Sequence, residues 1–295
     1  MIVGVRMHAA EVDIDVALVR RLVAGQFPAW ADLPVEPVAS SGTDNAMFRL
    51  GDELAVRLPR IGGAAKNVAG EQKWVPLLAP PLPVAVPAPV GLGTPTDDYR
   101  YPWTVCRWLP GVNPTVHDTK PELVGDLAAF VTALRALDPA GAPAAGRGVP
   151  LAMRDDPTRA AIAASEGLVD TAAVTAIWDD ALRIPPWMGP PTWAHADLSP
   201  GNLLVRDGRL TAVIDWGCAG VGDPTVDLVI AWNLLPAAGR PAFRAALGVD
   251  DDTWRRGRGW ALSIAVIQLP YYQHTNPALA ANSRHVIAEV LADRG

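Results

Sequence analysis

An α+β fold in two parts is predicted by three observations. Short strands separated by tight turns fill the first third of the chain, helical periodicity fills most of the rest, and a Pro-Gly break at 110–111 divides the two. With 295 residues of which 50% are hydrophobic, the chain can bury a sizeable core, and no internal repeat is visible.

The opening element is an amphipathic helix over 13–27, because Val16, Val19, Leu22 and Val23 recur at helical spacing behind Asp13 or Asp15 as N-cap. Its apolar face is expected to lie on a sheet. Residues 46–50 and 54–58 read as strands, preceded by a turn at 40–45 and joined by Gly51-Asp52. A helix over 65–78 carries Glu71. The proline-rich run 79–95 reads as extended, since repeated proline removes backbone donors and fixes φ. A further strand over 101–109 leads to the break.

Beyond it, Leu123, Leu127, Phe130, Val131 and Leu134 mark a helix over 121–137. Residues 139–150, rich in Ala, Gly and Pro, form a loop, and 158–182 is helical with an interruption near Gly167. Short strands at 203–205 and 212–214 make a hairpin, and helices follow from 227 with breaks at Pro236, Gly248 and Pro270. The expected division is a first lobe over 1–106, a hinge over 107–111 and a second lobe over 112–295.

Several functional classes are excluded at this level. A net charge of −6 with no run of Lys or Arg gives a nucleic-acid backbone nothing to bind, and it accommodates a cationic partner more easily. Cys106 and Cys218 lack the spacing of a zinc site or a disulfide framework. No apolar run reaches the roughly 20 residues of a membrane span, and the N-terminus lacks a leader's apolar core, so a cytoplasmic protein is expected. Met7 offers a second start, which would leave 1–6 as an unstructured extension.

The informative stretch is His195-Ala-Asp197-Leu-Ser-Pro-Gly-Asn202, followed by Val213-Ile-Asp215-Trp. Phosphoryl transfer needs one carboxylate beside the attacking hydroxyl, and an amide oxygen with a second carboxylate to hold Mg²⁺ on the phosphates. Asn202 lies five positions beyond Asp197 and Asp215 eighteen, with a hairpin between, which is the spacing of the kinase catalytic set.

On these residues the chain resembles the aminoglycoside phosphotransferase family, small-molecule relatives of the protein kinases. The family pattern HGDxxxxN followed by IDxxxxxxxDPxxDL is met here by His195–Asn202 and by Ile214-Asp215 with Asp223-Pro224 and Asp227-Leu228. The resemblance covers nearly the whole length. It implies a two-lobed protein-kinase-like fold, with an antiparallel sheet plus a helix in the N-lobe and a mostly helical C-lobe.

It also implies a site. Asp197 is the base or hydroxyl-orienting group, His195 organises the loop by hydrogen bonding, and Asn202 and Asp215 hold the metal. Asp223 reads as a helix cap, and Asp227 as a structural group that hydrogen-bonds the catalytic loop. Ala196 stands where the family usually has Gly, which calls for an ordinary backbone conformation there. In the N-lobe, Ser41, Gly42 and Thr43 occupy the place of a phosphate-covering turn. Arg57, with Arg60 as its alternative, takes the place of the phosphate-binding lysine, and Glu71 that of its partner. Arg107, Trp108 and Leu109 resemble the linker that reads the nucleobase, with Val56 flanking the ring.

The implied reaction moves the γ-phosphate of ATP or GTP, with Mg²⁺, to a hydroxyl of a small cationic molecule, an aminoglycoside or related antibiotic. A metabolite kinase of sugar, choline or homoserine type and a silent nucleotide-binding pseudokinase stand beside it. The acceptor pocket is expected to draw on about two of Asp155, Asp156, Asp179, Asp180, Asp251, Asp252 and Glu289. Trp232-Asn233 and residues 271–274 would supply stacking surfaces and polar handles.

Overall fold

A computed structural model describes residues 11–38, 42–116 and 119–293. Ser40, Ser41 and the extension read over 1–6 lie outside them. The first helix, α1 (Val16–Gln26), starts at Asp15, whose carboxylate accepts the Leu18 N–H at 2.7 Å. Five antiparallel strands follow: β1 (Val35–Pro37), β2 (Asn45–Leu50), β3 (Leu54–Pro59) and, beyond helix α2 (Gly62–Leu78), β4 (Pro89–Gly93) and β5 (Trp103–Arg107). They pair in the order β1-β2-β3-β5-β4. Leu18, Val19, Leu22 and Val23 of α1 are buried with Phe48, Val56, Leu58, Trp103 and Val105 of the sheet. Each such side chain contributes roughly 1.5–3 kcal/mol on burial.

The strand at 89–93 lies inside the run read only as extended. It sits at the sheet edge, where proline is tolerated, and its register with β5 shifts between Pro89 and Gly91. Its apolar Val90 and Leu92 are exposed while Pro89, Gly91 and Gly93 take the inner face, so apolar residues do not mark the buried side. The preceding residues cross to the other half of the molecule, and Ala85 bonds both Thr211 (2.9 Å) and Val213 (3.0 Å) through its backbone.

The second half contains α3 (Pro121–Arg135), α4 (Asp155–Ala164), α5 (Thr171–Leu182), the strand β6 (Thr192–Ala194), the hairpin β7 (Leu203–Arg206) and β8 (Arg209–Val213), and β9 (Gly220–Gly222), which pairs with β6. Helices α6 (Ile230–Asn233), α7 (Arg240–Leu247), α8 (Asp251–Tyr272) and α9 (Pro277–Ala292) complete it. Helix α8 runs two residues past Pro270 rather than stopping there. The proline gives up only the bond that its N–H would make to the Val266 carbonyl, and its fixed φ is helical, so the chain turns on through Tyr272.

The core of this half gathers α3, α8, α9 and the buried indoles of Trp178, Trp193, Trp232 and Trp260. It also takes Val75, Leu78, Leu82 and Val86, so apolar packing crosses the boundary expected at residue 107. The hairpin β7–β8 is held on both edges, by Ala85 against β8 and by a pair of backbone bonds between Val112 and Val205 (3.1 and 2.8 Å).

Candidate active site

The turn from β6 into the catalytic loop is built on Asp227, a fully buried carboxylate that accepts the N–H groups of His195 (2.9 Å) and Ala196 (2.8 Å). Ala196 adopts φ +63°, in the left-handed region. This corrects the expectation of an ordinary conformation there. The loop must reverse sharply to present Asp197, and Asp227 holds the peptide in place despite a steric cost of roughly 1–2 kcal/mol.

His195 is buried beneath this turn, with Nε2 3.1 Å from the Ile214 carbonyl and its ring edge-on to Trp216 at 5.0 Å. Burial holds its pKa below the ordinary value, outweighing the pull of Asp227 and Asp215. A neutral ring therefore donates from Nε2 and ties the catalytic loop to the segment that carries Asp215. Asp223 accepts the Thr225 N–H at 2.9 Å and caps the short helical turn after it.

Asn202 follows in a single helical turn. Its amide donates to the Asp197 carbonyl at 2.9 Å and approaches the Asp197 carboxylate at 3.3 Å. Asn113, just past the hinge, donates to the carbonyls of Gly201 (3.1 Å) and Leu203 (2.8 Å) on either side of it. Asp215 ends the hairpin in a left-handed conformation, φ +62°. Burial raises the pKa of Asp197 and Asp215 adds to it, while Arg147 and Asn202 oppose.

From the sheet, Arg57 reaches across to this group. It pairs with Glu71 on α2, and its Nη2 donates to Asp215 Oδ1 at 2.7 Å. The Asn45 amide oxygen, turned to face it, accepts at 2.9 Å. Burial works against the guanidinium's charge, but Asp215 and Glu71 outweigh it and keep Arg57 protonated. Arg57, not Arg60, makes these contacts.

Because side chains alternate along a strand, Arg57 and Ala55 share the face toward α2 and the site, and Val56 points into the α1 core. Val56 is therefore corrected as a residue flanking a base, since its side chain is wholly buried in the core beneath α1.

The remaining sites expected from sequence are placed as follows. Gly42 is exposed at the turn before β2, and Thr43 donates to Asp44 at 2.7 Å. The Tyr272 hydroxyl, at the end of α8, lies 3.4 Å from the Thr43 hydroxyl. At the hinge, the Trp108 N–H is spent on the Glu53 carbonyl at 2.7 Å, and Arg49 covers its ring at 5.0 Å. Leu109 is half-buried. The Arg107 side chain is exposed beside Glu53 and lines a cavity of about 300 Å³ with Trp30, Leu33 and Val90, which contains none of the residues around Asp197.

Most of the acidic candidates for an acceptor pocket are paired with arginine. Asp155 and Asp179 both pair with Arg159, Asp180 with Arg183, Asp251 with Arg244, Asp252 with Arg255 and Glu289 with Arg240. The pairs of Asp179, Asp251 and Glu289 join one helix to another, and the other three each lie within a single helix. Trp232 is wholly buried, so it offers no stacking surface.

One residue of the site gave no sign in the sequence. Arg147, in the loop over 139–150, pairs with the Asp197 carboxylate and donates to the Ala196 carbonyl at 2.9 Å. The only hint is its setting between Gly146 and Gly148, which lets the backbone lie close against Cys218 and Asp223.

The donor set suits a hard cation. Asn202 and Asp215 offer an amide and a carboxylate oxygen, and among the described residues no three His, Cys, Asp or Glu side chains gather to hold a metal alone. Mg²⁺ is held in this way when phosphates and water complete its shell, so the residues present fit it.

The architecture has solved counterparts. APH(2")-IIIa, solved with GDP and kanamycin, superposes with a TM-score of 0.74 over 94% of this chain and 99% of that one, at 22% identity. Macrolide 2'-phosphotransferase MphH from Brachybacterium faecium gives 0.62 over 95% and 99%, at 21% identity. At these identities the likeness is one of fold. In sequence, an aminoglycoside 3'-phosphotransferase of Escherichia coli is 37% identical over 59 residues, 20% of this chain and 22% of that relative. The matched stretch thus spans about a fifth of the curated relative's length. The model of the phosphotransferase enzyme family (APH) matches residues 35–260, most of the chain and all of the site just described; the protein belongs to that family.

Proposed function

We propose that this protein transfers the γ-phosphoryl group of ATP or GTP to a hydroxyl of a small cationic antibiotic, an aminoglycoside or a relative, in the cytoplasm. The observation that carries the reading is the placing of the Asp197 carboxylate beside Asn202 and Asp215, opposite an arginine anchored on Glu71. Asp197 accepts the acceptor's hydroxyl proton as the hydroxyl oxygen bonds to phosphorus and the bond to the bridging oxygen of the leaving diphosphate breaks. Arg57 orients phosphate oxygens, and Glu71 holds Arg57. Asn202 and Asp215 would hold Mg²⁺, which supplies charge neutralisation on the phosphates.

The nucleotide and acceptor complexes of the solved relatives and the chain's charge of −6 support the acceptor class. Incubation with ATP and with GTP against aminoglycosides, macrolides and hydroxylated metabolites, read by mass spectrometry, tests it. A phosphate adduct on an aminoglycoside is expected. Adducts confined to metabolites would reassign the acceptor, and nucleotide binding without any turnover would sink the reading.

A further inference from the structure

The loop over 143–148 is laid along β9 like an extra strand. Val221 donates to the Pro143 carbonyl (2.8 Å), Ala145 to Val221 (3.1 Å), Gly146 to Cys218 (2.9 Å) and Asp223 to Gly148 (2.8 Å). Four backbone bonds on a six-residue stretch leave the base of Arg147 little freedom. A Cβ at Gly146 would meet Cys218 at 3.3 Å, and Gly148 has φ +99°, so side chains on either side would push the segment off.

The guanidinium delivered in this way is only 24% exposed, and one nitrogen, Nη1, serves both the Asp197 Oδ1 and the Ala196 carbonyl. Between Asp197 and Asn202 the loop reads Leu-Ser-Pro-Gly and has no cation of its own. Arg57 is committed on the other side, to Glu71 and Asp215.

We propose that Arg147 is a positioning residue for phosphoryl transfer, which occupies Oδ1 of Asp197 and so leaves Oδ2 to meet the acceptor hydroxyl. This rests on the phosphotransferase reading given above. Among the described residues Oδ2 has only the long 3.3 Å approach of the Asn202 amide, whereas Oδ1 is held by a full charge. With both carboxylate oxygens free, the side chain would rotate about its last bond, and a misplaced base costs about a hundredfold in rate. The second bond, to the Ala196 carbonyl, ties the same guanidinium to the left-handed turn that aims Asp197.

Arg147→Ala and Arg147→Lys, compared with wild type, test this. Turnover is followed as acceptor phosphorylation and as acceptor-independent nucleotide hydrolysis, and Mg-nucleotide affinity by calorimetry. Arg147→Ala is expected to lose about a hundredfold in kcat, keep nucleotide affinity within about twofold, and recover in part with added guanidinium ion. Lysine is expected to rescue partly, since a single nitrogen makes both bonds but the lysine side chain carries its nitrogen one bond short of Nη1. An alanine variant within threefold of wild type would overturn the proposal, as would nucleotide affinity falling in step with kcat.

Hydrogen exchange of the peptide 194–203 reads the same arrangement without turnover. Faster exchange confined to that peptide is expected in both variants, and unchanged exchange counts against Arg147. Failure of wild type to turn over with any acceptor or water counts instead against the phosphotransferase reading. If the alanine variant does not fold, the lysine variant decides on all measurements.

Discussion

Arg57 and Asp215 meet at 2.7 Å although 158 residues of chain separate them, and this contact joins the sheet to the catalytic hairpin. Glu71 completes the bridge from α2, and both partners of the Arg57–Glu71 pair are largely buried. Arg57→Met should therefore destabilise the protein by about 3 kcal/mol, because it leaves Glu71 buried and unpaired. Arg57→Met with Glu71→Gln should recover part of that in thermal unfolding. In turnover, Arg57→Ala combined with Glu71→Ala should be little worse than Arg57→Ala alone, since the two act as one unit. Additive losses would separate them.

Asp197→Asn should lower phosphoryl transfer by about 10²–10⁴-fold while nucleotide affinity stays close to wild type. Asparagine keeps the shape and the Asn202 bond to the backbone carbonyl of residue 197 but cannot take a proton. A variant within threefold would remove Asp197 from proton transfer.

Asp215→Ala should behave differently, losing Mg-nucleotide affinity together with turnover, because a hard cation loses its charged oxygen. Calorimetry with and without Mg²⁺ separates the two contributions. Equal affinity in wild type and variant would leave Asp215 with only its role as partner of Arg57.

Ala196→Gly should change stability by less than about 1 kcal/mol. Relief of the left-handed strain, roughly 1–2 kcal/mol, is offset by about 0.8 kcal/mol for the buried methyl and 0.5–1 kcal/mol of chain entropy. Ala196→Val should cost more than about 2 kcal/mol, since a branched side chain is strained there and the site is fully buried. Melting temperatures of the two variants measure both.

Asp126 on α3 accepts from Arg209 (2.7 Å) and from the Leu210 N–H (3.0 Å), pinning the hairpin that carries Asn202 and Asp215. The Arg209 bond, against a small cost of burial, holds its pKa below the ordinary carboxylate value. A lowered carboxylate pKa gives stability that is present above the unfolded value and lost as pH falls through the folded one. Asp126→Asn should thus cost up to about 1 kcal/mol at neutral pH, a small sum because Arg209 is mostly exposed. The difference from wild type should shrink below about pH 4. A gap that persists into acid would assign the effect to packing.

What could be read from sequence was what lies close in sequence. Asp197, Asn202 and Asp215 are legible because one loop and one hairpin set their spacing, and α1, α3 and β2 because burial on one face leaves a period. Arg147 was hidden because its partner lies 50 residues away, and backbone pairing between a loop and β9, which any residue type can make, brings them together. The conformation of Ala196 was hidden because its side chain argues against it and only the buried Asp227 enforces it. Val56 was misplaced because a strand buried on both faces shows no alternation, and only its register against β2 and β5 tells the faces apart.

The two backbone attachments at the edges of the β7–β8 hairpin have a mechanical consequence. The chain passes between the strand-rich and helical halves at Ala85 and again at Val112, and each passage is bonded to a different edge of the hairpin. The pair works like the two pins of a door hinge. If the halves swing apart, the line through Ala85 and Val112 is the axis, and Asn202 and Asp215, at the hairpin's ends, travel least. The Tyr272–Thr43 contact, 3.4 Å between two hydroxyls, is a weaker tie between the halves than the Arg57–Asp215 ion pair and should part before it. Nucleotide exchange should then disturb the lip of the cleft long before it disturbs the carboxylates at the axis.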